Sequence, residues 1–273
     1  SLRSIDHMKV YLHVGYHKTG TTSFQGLLQA NESRFSQGFE AHTVRSDTLH
    51  GISGAFVKYH HNPSTHRASE LKGMLAALRQ ACVDRGCTKL LISDENFIGI
   101  MPRKDKKTEP YPNRFAAMEL MLEAFAHDDV EVFLTTRDYR AWLDSVYRHQ
   151  LRKRGIRGGI EKFAQLPKFA GLTSVDEMVA ELTGWLPDHV PVTTSRLEAT
   201  KPDHIGPHLV LLKQIDPSGD LFSTWQAVDR ENDGLNEASM RRMQSPFLLL
   251  LPDFLRWRYA RHLVRNQHSD RHT

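Results

Sequence analysis

Eight consecutive residues, Gly15-Tyr16-His17-Lys18-Thr19-Gly20-Thr21-Thr22, combine two glycines, three threonines and a lysine. The run before them, Val10-Tyr11-Leu12-His13-Val14, is apolar and β-prone; the run after, Ser23-Phe24-Gln25-Gly26-Leu27-Leu28, reads as the beginning of a helix. A strand, a tight loop and a helix start in that order present orphan backbone N–H groups and the positive end of a helix dipole. Lys18 adds a full charge, so the chemistry is anion binding, phosphate above all. Gly15 and Gly20 bracket the loop and admit backbone angles closed to other residues.

Two further strand ends carry reactive types. Lys89-Leu90-Leu91-Ile92-Ser93-Asp94-Glu95 is an apolar strand ending in two acids, and polar residues at the end of a parallel strand fall on the ligand-binding edge of an open sheet. Val130 to Thr136 is another strand; it runs into Arg137, with Ser145 eight residues further on along the following helix. An arginine fork binds phosphate oxygens in two places and a serine hydroxyl adds a donor, so Arg137 and Ser145 are candidates for a second phosphate.

The first loop departs from the nucleotide-triphosphate pattern G-x-x-x-x-G-K-[ST], in which the lysine directly follows the second glycine. Here Gly20 is followed by Thr21, and Lys18 stands two places before it. The order Lys18-Thr19-Gly20-Thr21-Thr22 resembles the loop of sulfotransferases that use 3′-phosphoadenosine 5′-phosphosulfate (PAPS), with His17 where many members have proline. "LLISDENF" at 90–97 is similar to that family's strand ending in Ser-x-Glu, and Arg137 with Ser145 resembles its 3′-phosphate site. The resemblance implies that Gly15, Tyr16, His17, Lys18, Thr19, Gly20, Thr21 and Thr22 hold the 5′-phosphosulfate and that Arg137 and Ser145 hold the 3′-phosphate. It implies, more weakly, that Arg230 in the late Arg230–Asn236 segment reaches the same phosphate. PAPS is then the co-substrate and PAP the product, with no metal expected. The acceptor would be a hydroxylated small molecule or carbohydrate, or less readily an amine. Lys18 would stabilise the leaving group and Glu95 would be the general base. His17, adjoining Lys18, is the second candidate base, and His13, inside the strand, is structural.

Two other classes compete. A kinase or NTPase would use Asp94 and Glu95 with magnesium at the end of an apolar strand. A basic polyanion-binding module would use Arg148, His149, Arg152, Lys153, Arg154 and Arg157, but no aromatic-interleaved recognition motif accompanies that run, so no nucleic acid partner is expected. A formal charge of +4 and a pI of about 9.0 favour anionic ligands without choosing among them. The basic loop around Arg103, Lys104, Lys106 and Lys107 reads either as a lid over an anionic substrate or as a solvated loop.

With 273 residues, 40% hydrophobic and 25% charged, the chain can bury a sizeable core. Its longest apolar run, Pro246 to Leu251, is too short for a membrane span. The polar opening has no signal-peptide character, which points to the cytoplasm; a chain that starts with Ser also admits a removed leader. Cys82 and Cys87, five apart around a helix end, read as free thiols of a reducing compartment.

Helices are expected at Thr21–Asn31, Ser64–Arg85, Asn113–His127, in parts of Phe163–Leu186, at His204–Ile215, and in one or two pieces over Glu237–Arg265 interrupted at Pro246 and Pro252. Glu32 to Pro63, with Gly38, Gly51 and Gly54, reads as short irregular pieces around a strand near Phe39–Val44. Val190–Thr194 is a short strand in which Pro191 suggests an edge or a strand start. Strands alternating with helices argue for an α/β chain with a mainly parallel central sheet flanked by helices. The resemblance narrows this to a P-loop NTPase-like sulfotransferase fold. It is read as one domain over 1–273, with the PAPS-binding elements mostly within 8–150 and the C-terminal helices of 204–265 packed on it.

Overall fold

The computed structural model describes residues 7–102, 109–154, 156–167, 169, 172, 174–198, 205, 208–228 and 235–269. The strands are β1 (Lys9–His13), β2 (Phe39–Thr43), β3 (Lys89–Ser93), β4 (Asp129–Thr136) and β5 (Val192–Arg196). The helices are α1 (Thr21–Ala30), α2 (Asp47–His61), α3 (Thr65–Asp84), α4 (Arg114–Ala124), α5 (Tyr139–Arg154), α6 (Ile160–Ala164), α7 (Val175–Trp185), α8 (Leu209–Ile215), α9 (Glu237–Met243), α10 (Pro246–Leu250) and α11 (Asp253–Ser269). Residue contacts gather them into two compact units interleaved along the sequence. The first holds all five strands with α1–α4, α7 and α8; the second holds α5, α6 and α9–α11.

In the first unit the strands form one all-parallel sheet in the order β2-β3-β1-β4-β5. The expected α/β architecture with a parallel sheet flanked by helices is therefore present. β3 and β4 are buried along their lengths apart from their first residues, as strands covered on both faces must be. On one face Tyr11, Leu91 and Phe133 pack with Phe24, Leu27 and Leu28 of α1 and with Leu211, Leu212 and Ile215 of α8. Val10, Leu12, Leu90, Ile92, Val132 and Leu134 alternate to the other face and are equally buried. A run of packed helices covers that side: α2 on α3, α3 on α4, α4 on α7, with α7 on β4.

The chain after β1 turns toward β2 on one side, whereas the chain after β4 turns toward β5 on the other. Order thus reverses between β1 and β4, and the carboxyl ends of these two strands flank a topological switch point, where open α/β sheets bind ligands. β5 is an edge strand preceded by Pro191, whose carbonyl accepts from Val132 N–H at 2.9 Å.

Residues 47–61 correct the reading of an irregular segment: they form the fifteen-residue α2. Leu49, Ile52, Phe56 and Tyr59 supply a buried stripe at helical spacing, and Ser46 caps the helix by accepting from Leu49 N–H. Gly51 and Gly54 lie on the exposed side, and the cost of about 1 kcal/mol per helical glycine is offset by burial of that stripe. In the second unit Pro246 opens α10 at a first helical position, where its missing N–H costs nothing, so the closing segment is three helices.

The second unit is knit by α5 against α11. Arg256 of α11 is buried and donates to the carbonyls of Leu248 and Ile156 at 2.8 Å and of Met243 at 3.3 Å. Part of the basic run is engaged locally: Arg148 bonds Asp144 at 2.6 Å and the Leu235 carbonyl at 3.0 Å, and Arg157 pairs with Asp253 at 3.2 Å. No described helix is long and apolar enough to cross a membrane. The basic loop residues 103–107 lie outside the described residues.

Candidate anion site at the carboxyl end of β1

β1 delivers the chain to the loop, and Val14 N–H extends the pairing with β4 by bonding Phe133 O at 3.1 Å. Gly15 follows because no side chain fits: a Cβ there would sit 2.7 Å from Thr135 Oγ1, 3.2 Å from Thr19 Oγ1 and 3.3 Å from Thr21 Oγ1. Thr19 Oγ1 bonds Tyr16 O at 2.6 Å and Thr135 Oγ1 at 2.8 Å, pinning the loop to β4. Lys18 holds φ +70°, a left-handed conformation that is strained for a residue with a Cβ, and Gly20 holds φ +103°. Together they turn the chain into α1.

The start of α1 differs from those of α2 and α3, which are capped by Ser46 and Ser64 side chains. Gly20 caps α1 with its carbonyl alone, accepting from Ser23 and Phe24 N–H, and the first turn holds no acidic residue. Thr21 Oγ1 is buried there without a hydrogen-bond partner among the described residues. A helix start with neither an acceptor side chain nor an acid is suited to an anion supplied from outside.

Arg137, directly after β4, donates from Nη1 to the Lys18 carbonyl at 3.0 Å, and its Nε lies 3.6 Å from Glu198 Oε1. The guanidinium therefore grips the outer side of the loop. Ser145 is a half-buried residue of α5 in the second unit, and Arg230 lies outside the described residues. Gly15–Thr22, Glu95 and Arg137 are the sequence-predicted residues that meet at the carboxyl ends of β1, β3 and β4.

At the end of β3, Gln25 of α1 donates its amide to both Ser93 O at 3.2 Å and Glu95 Oε2 at 3.0 Å. This ties the candidate base to the helix that follows the Lys18 loop. Asp94 turns inward. Its Oδ1 accepts from Asn96 N–H at 2.8 Å and Asn96 Nδ2 at 3.0 Å, capping the short 3₁₀ turn Glu95–Phe97. Burial, and then the charge of Glu95, push the Asp94 carboxyl up to about 7. Asp94 thus serves as a cap, and Glu95 remains half-exposed.

His17 closes the same network. Its backbone N–H donates to Tyr111 Oη at 3.0 Å; its Nδ1 lies 3.3 Å from the same hydroxyl and its Nε2 lies 3.3 Å from Asn96 Oδ1. The network assigns the proton to Nε2 and makes Nδ1 the acceptor of the Tyr111 hydroxyl. Burial holds the imidazole below its ordinary pKa, and the Glu95 charge opposes that shift. Both ring nitrogens are engaged in positioning the loop, which favours Glu95 over His17 as the base. Gln25, Asn96, Tyr111 and Thr135 escaped the sequence reading. The signal for Gln25 was a polar residue on the apolar side of α1; Tyr111, 94 residues from His17, gave none.

Beneath the loop, His13 Nδ1 bonds Ser93 Oγ at 2.8 Å, and its ring packs against Phe24 and His208 at 4.8 and 6.2 Å between centroids. Burial drives His13 well below 6.5 and His208 to about 4. A histidine with a lowered folded pKa gives stability that is fully present above pH 6.5 and lost as pH falls toward the folded value. For His208 the loss is on the order of 3 kcal/mol. Asp94 acts in the opposite sense, its raised pKa costing stability as pH rises from 3.8 through about 7. His208→Phe should therefore raise the chemical-denaturation midpoint at pH 4 relative to that at pH 7, compared with the unsubstituted chain; an unchanged pH profile in the variant would reject His208 as a source of acid destabilisation.

Among the described residues, the one side-chain cluster with metal-ligand geometry lies away from this loop, at β2 and the end of α3. Compared with known proteins, the chain matches no family model and no curated protein.

Proposed function

We propose that the chain transfers a sulfuryl group from PAPS to a hydroxyl, or an amine, of a small-molecule or carbohydrate acceptor in the cytoplasm. The observation that carries this reading is the Lys18 loop itself. It ends at an uncapped helix start on the switch point of the sheet, and Arg137 from the next strand is held against its outer side. The chemistry follows the placement. The acceptor oxygen attacks sulfur in line, and the bond from sulfur to the bridging phosphate oxygen breaks, leaving its electron pair on PAP. Lys18 and the first N–H groups of α1 stabilise that developing charge. Glu95 takes the acceptor proton. Arg137 is assigned the 3′-phosphate, the group that distinguishes PAPS from ATP-derived nucleotides lacking it.

Differential binding tests the assignment. PAP should raise the melting temperature without magnesium and bind more tightly than adenosine 5′-phosphate. Charge-assisted hydrogen bonds are worth about 1.5–3 kcal/mol, so the preference should be roughly tenfold to a hundredfold. Arg137→Ala, which also removes the bond to the Lys18 carbonyl, should weaken both ligands but PAP by roughly tenfold to a hundredfold more, removing the preference. Magnesium-dependent ATP turnover with no PAP effect would instead support the kinase reading, for which Asp94 stands at the end of the strand beside β1. Salt-sensitive oligonucleotide binding with no PAP effect would support a polyanion-binding module.

A further inference from the structure

Helix α3 ends in a Schellman turn. Gly86, at φ +77°, donates its N–H to Val83 O at 2.9 Å, and Cys87 N–H donates to Cys82 O at 3.0 Å. That turn brings the side chains of its first and last residues together, usually as an apolar pair. Here the pair is two cysteines, both buried and free. The turn thus sets the Cys87 side chain beside that of Cys82.

Edge strand β2 supplies the other half. Phe39 and Ala41 pack with the core face, so Glu40 and His42 alternate to the opposite face. There they meet Cys82. Its Sγ lies 3.5 Å from Glu40 Oε2 and 4.0 Å from His42 Nε2, and those two atoms are 3.0 Å apart. A tetrahedral ion with bonds of about 2.3 Å to sulfur and about 2.0–2.1 Å to nitrogen and oxygen separates its donors by roughly 3.3–3.6 Å. The observed triangle is within half an ångström of that figure on every side.

We propose that Glu40, His42 and Cys82 bind a thiophilic divalent cation of the zinc class, joining β2 to the end of α3. A thiolate, an imidazole and a carboxylate are donor types that zinc takes, and a water completes the tetrahedron. Arg85 is its competitor. The guanidinium donates to Glu40 Oε1 at 3.0 Å and Oε2 at 2.6 Å and reaches Cys82 Sγ at 3.5 Å. Its side chain is 50% exposed, so it can swing into solvent as the cation takes its place. Binding displaces the Cys82 thiol proton, so affinity rises with pH.

Cobalt(II) titration of the full chain, purified under reducing conditions and freed of metal, tests the site. One equivalent should bring up thiolate-to-cobalt charge-transfer absorption and tetrahedral visible bands, and zinc should displace it. Cys82→Ser should abolish the thiolate band, and His42→Ala should weaken zinc binding more than about tenfold, the loss that even an outer partner of a metal ligand can cause. Arg85→Ala should strengthen zinc binding, because it removes the competing cation; this variant keeps every donor and guards against a Cys82 variant that fails to fold. No thiolate band, a band that survives Cys82→Ser, or weaker binding in Arg85→Ala would each overturn the proposal. So would a Cys82–Cys87 disulfide recovered from the reduced preparation.

Discussion

Lys18→Ala should lower PAPS-dependent turnover by about 10²–10³-fold, the range seen when one preorganised donor is removed from a developing oxyanion. The same change should weaken PAP binding much less, because the ammonium acts where charge accumulates in the transition state rather than on the resting phosphates. The backbone complicates this residue, since Lys18 holds φ +70° and shapes the turn into α1. Lys18→Gly separates the two roles. Glycine adopts that conformation without strain but carries no charge, so it should lose as much turnover as alanine while keeping full stability. Turnover retained in the glycine variant would reduce Lys18 to a conformational device. An equal fall in turnover and PAP affinity would make it a ground-state binding residue.

Glu95→Gln is the second large effect expected, a fall in kcat of about 10²–10⁴-fold with PAP binding intact. The substitution is nearly isosteric, and the new amide can present its oxygen to Gln25 Nε2 as the carboxylate does at 3.0 Å. What it removes is the basic oxygen. The acidic limb of a pH–rate profile reports the essential base, and its loss in a variant identifies that group. His17→Asn, in contrast, should lower stability and PAP affinity together, because the imidazole bridges Tyr111 and Asn96 in support of the loop. Near-normal turnover in Glu95→Gln would sink the assignment, and if His17→Asn then lost the acidic limb, the imidazole would be the base after all.

What could be read from the sequence was local. β1, β3 and β4 are runs of apolar residues whose burial on both faces leaves little choice of structure, and the Lys18 loop announces itself through glycines and threonines within one turn of chain. Helix α2 was hidden because Gly51 and Gly54 look like breakers until Leu49, Ile52, Phe56 and Tyr59 are seen to share one buried side. Tyr111 was hidden for another reason. It comes from a proline-rich segment, adopts φ +56°, and reaches His17 only through the sheet's crossover. The Glu40, His42 and Cys82 cluster was illegible because its ligands come from strand alternation and a helix-end turn 40 residues apart. Each half looks ordinary alone.

The strand order has a consequence for biosynthesis. β1 lies at the centre of the sheet, yet it precedes both of its neighbours in the chain. Lys18 waits for Arg137, 119 residues later, and Asn31, whose side chain fixes the end of α1, bonds the backbone of Gln226, 195 residues later. A ribosome adding ~5–20 residues each second leaves both edges of β1 unpaired for about 4–16 s, until β3 is complete, and the β4 edge unpaired for about 6–24 s. Throughout that interval the nascent chain presents an apolar strand open to pairing with other chains, which is when a chaperone would have something to hold. A chain interrupted before residue 137 would carry every residue from Gly15 to Thr22 and still lack the arginine that holds Lys18.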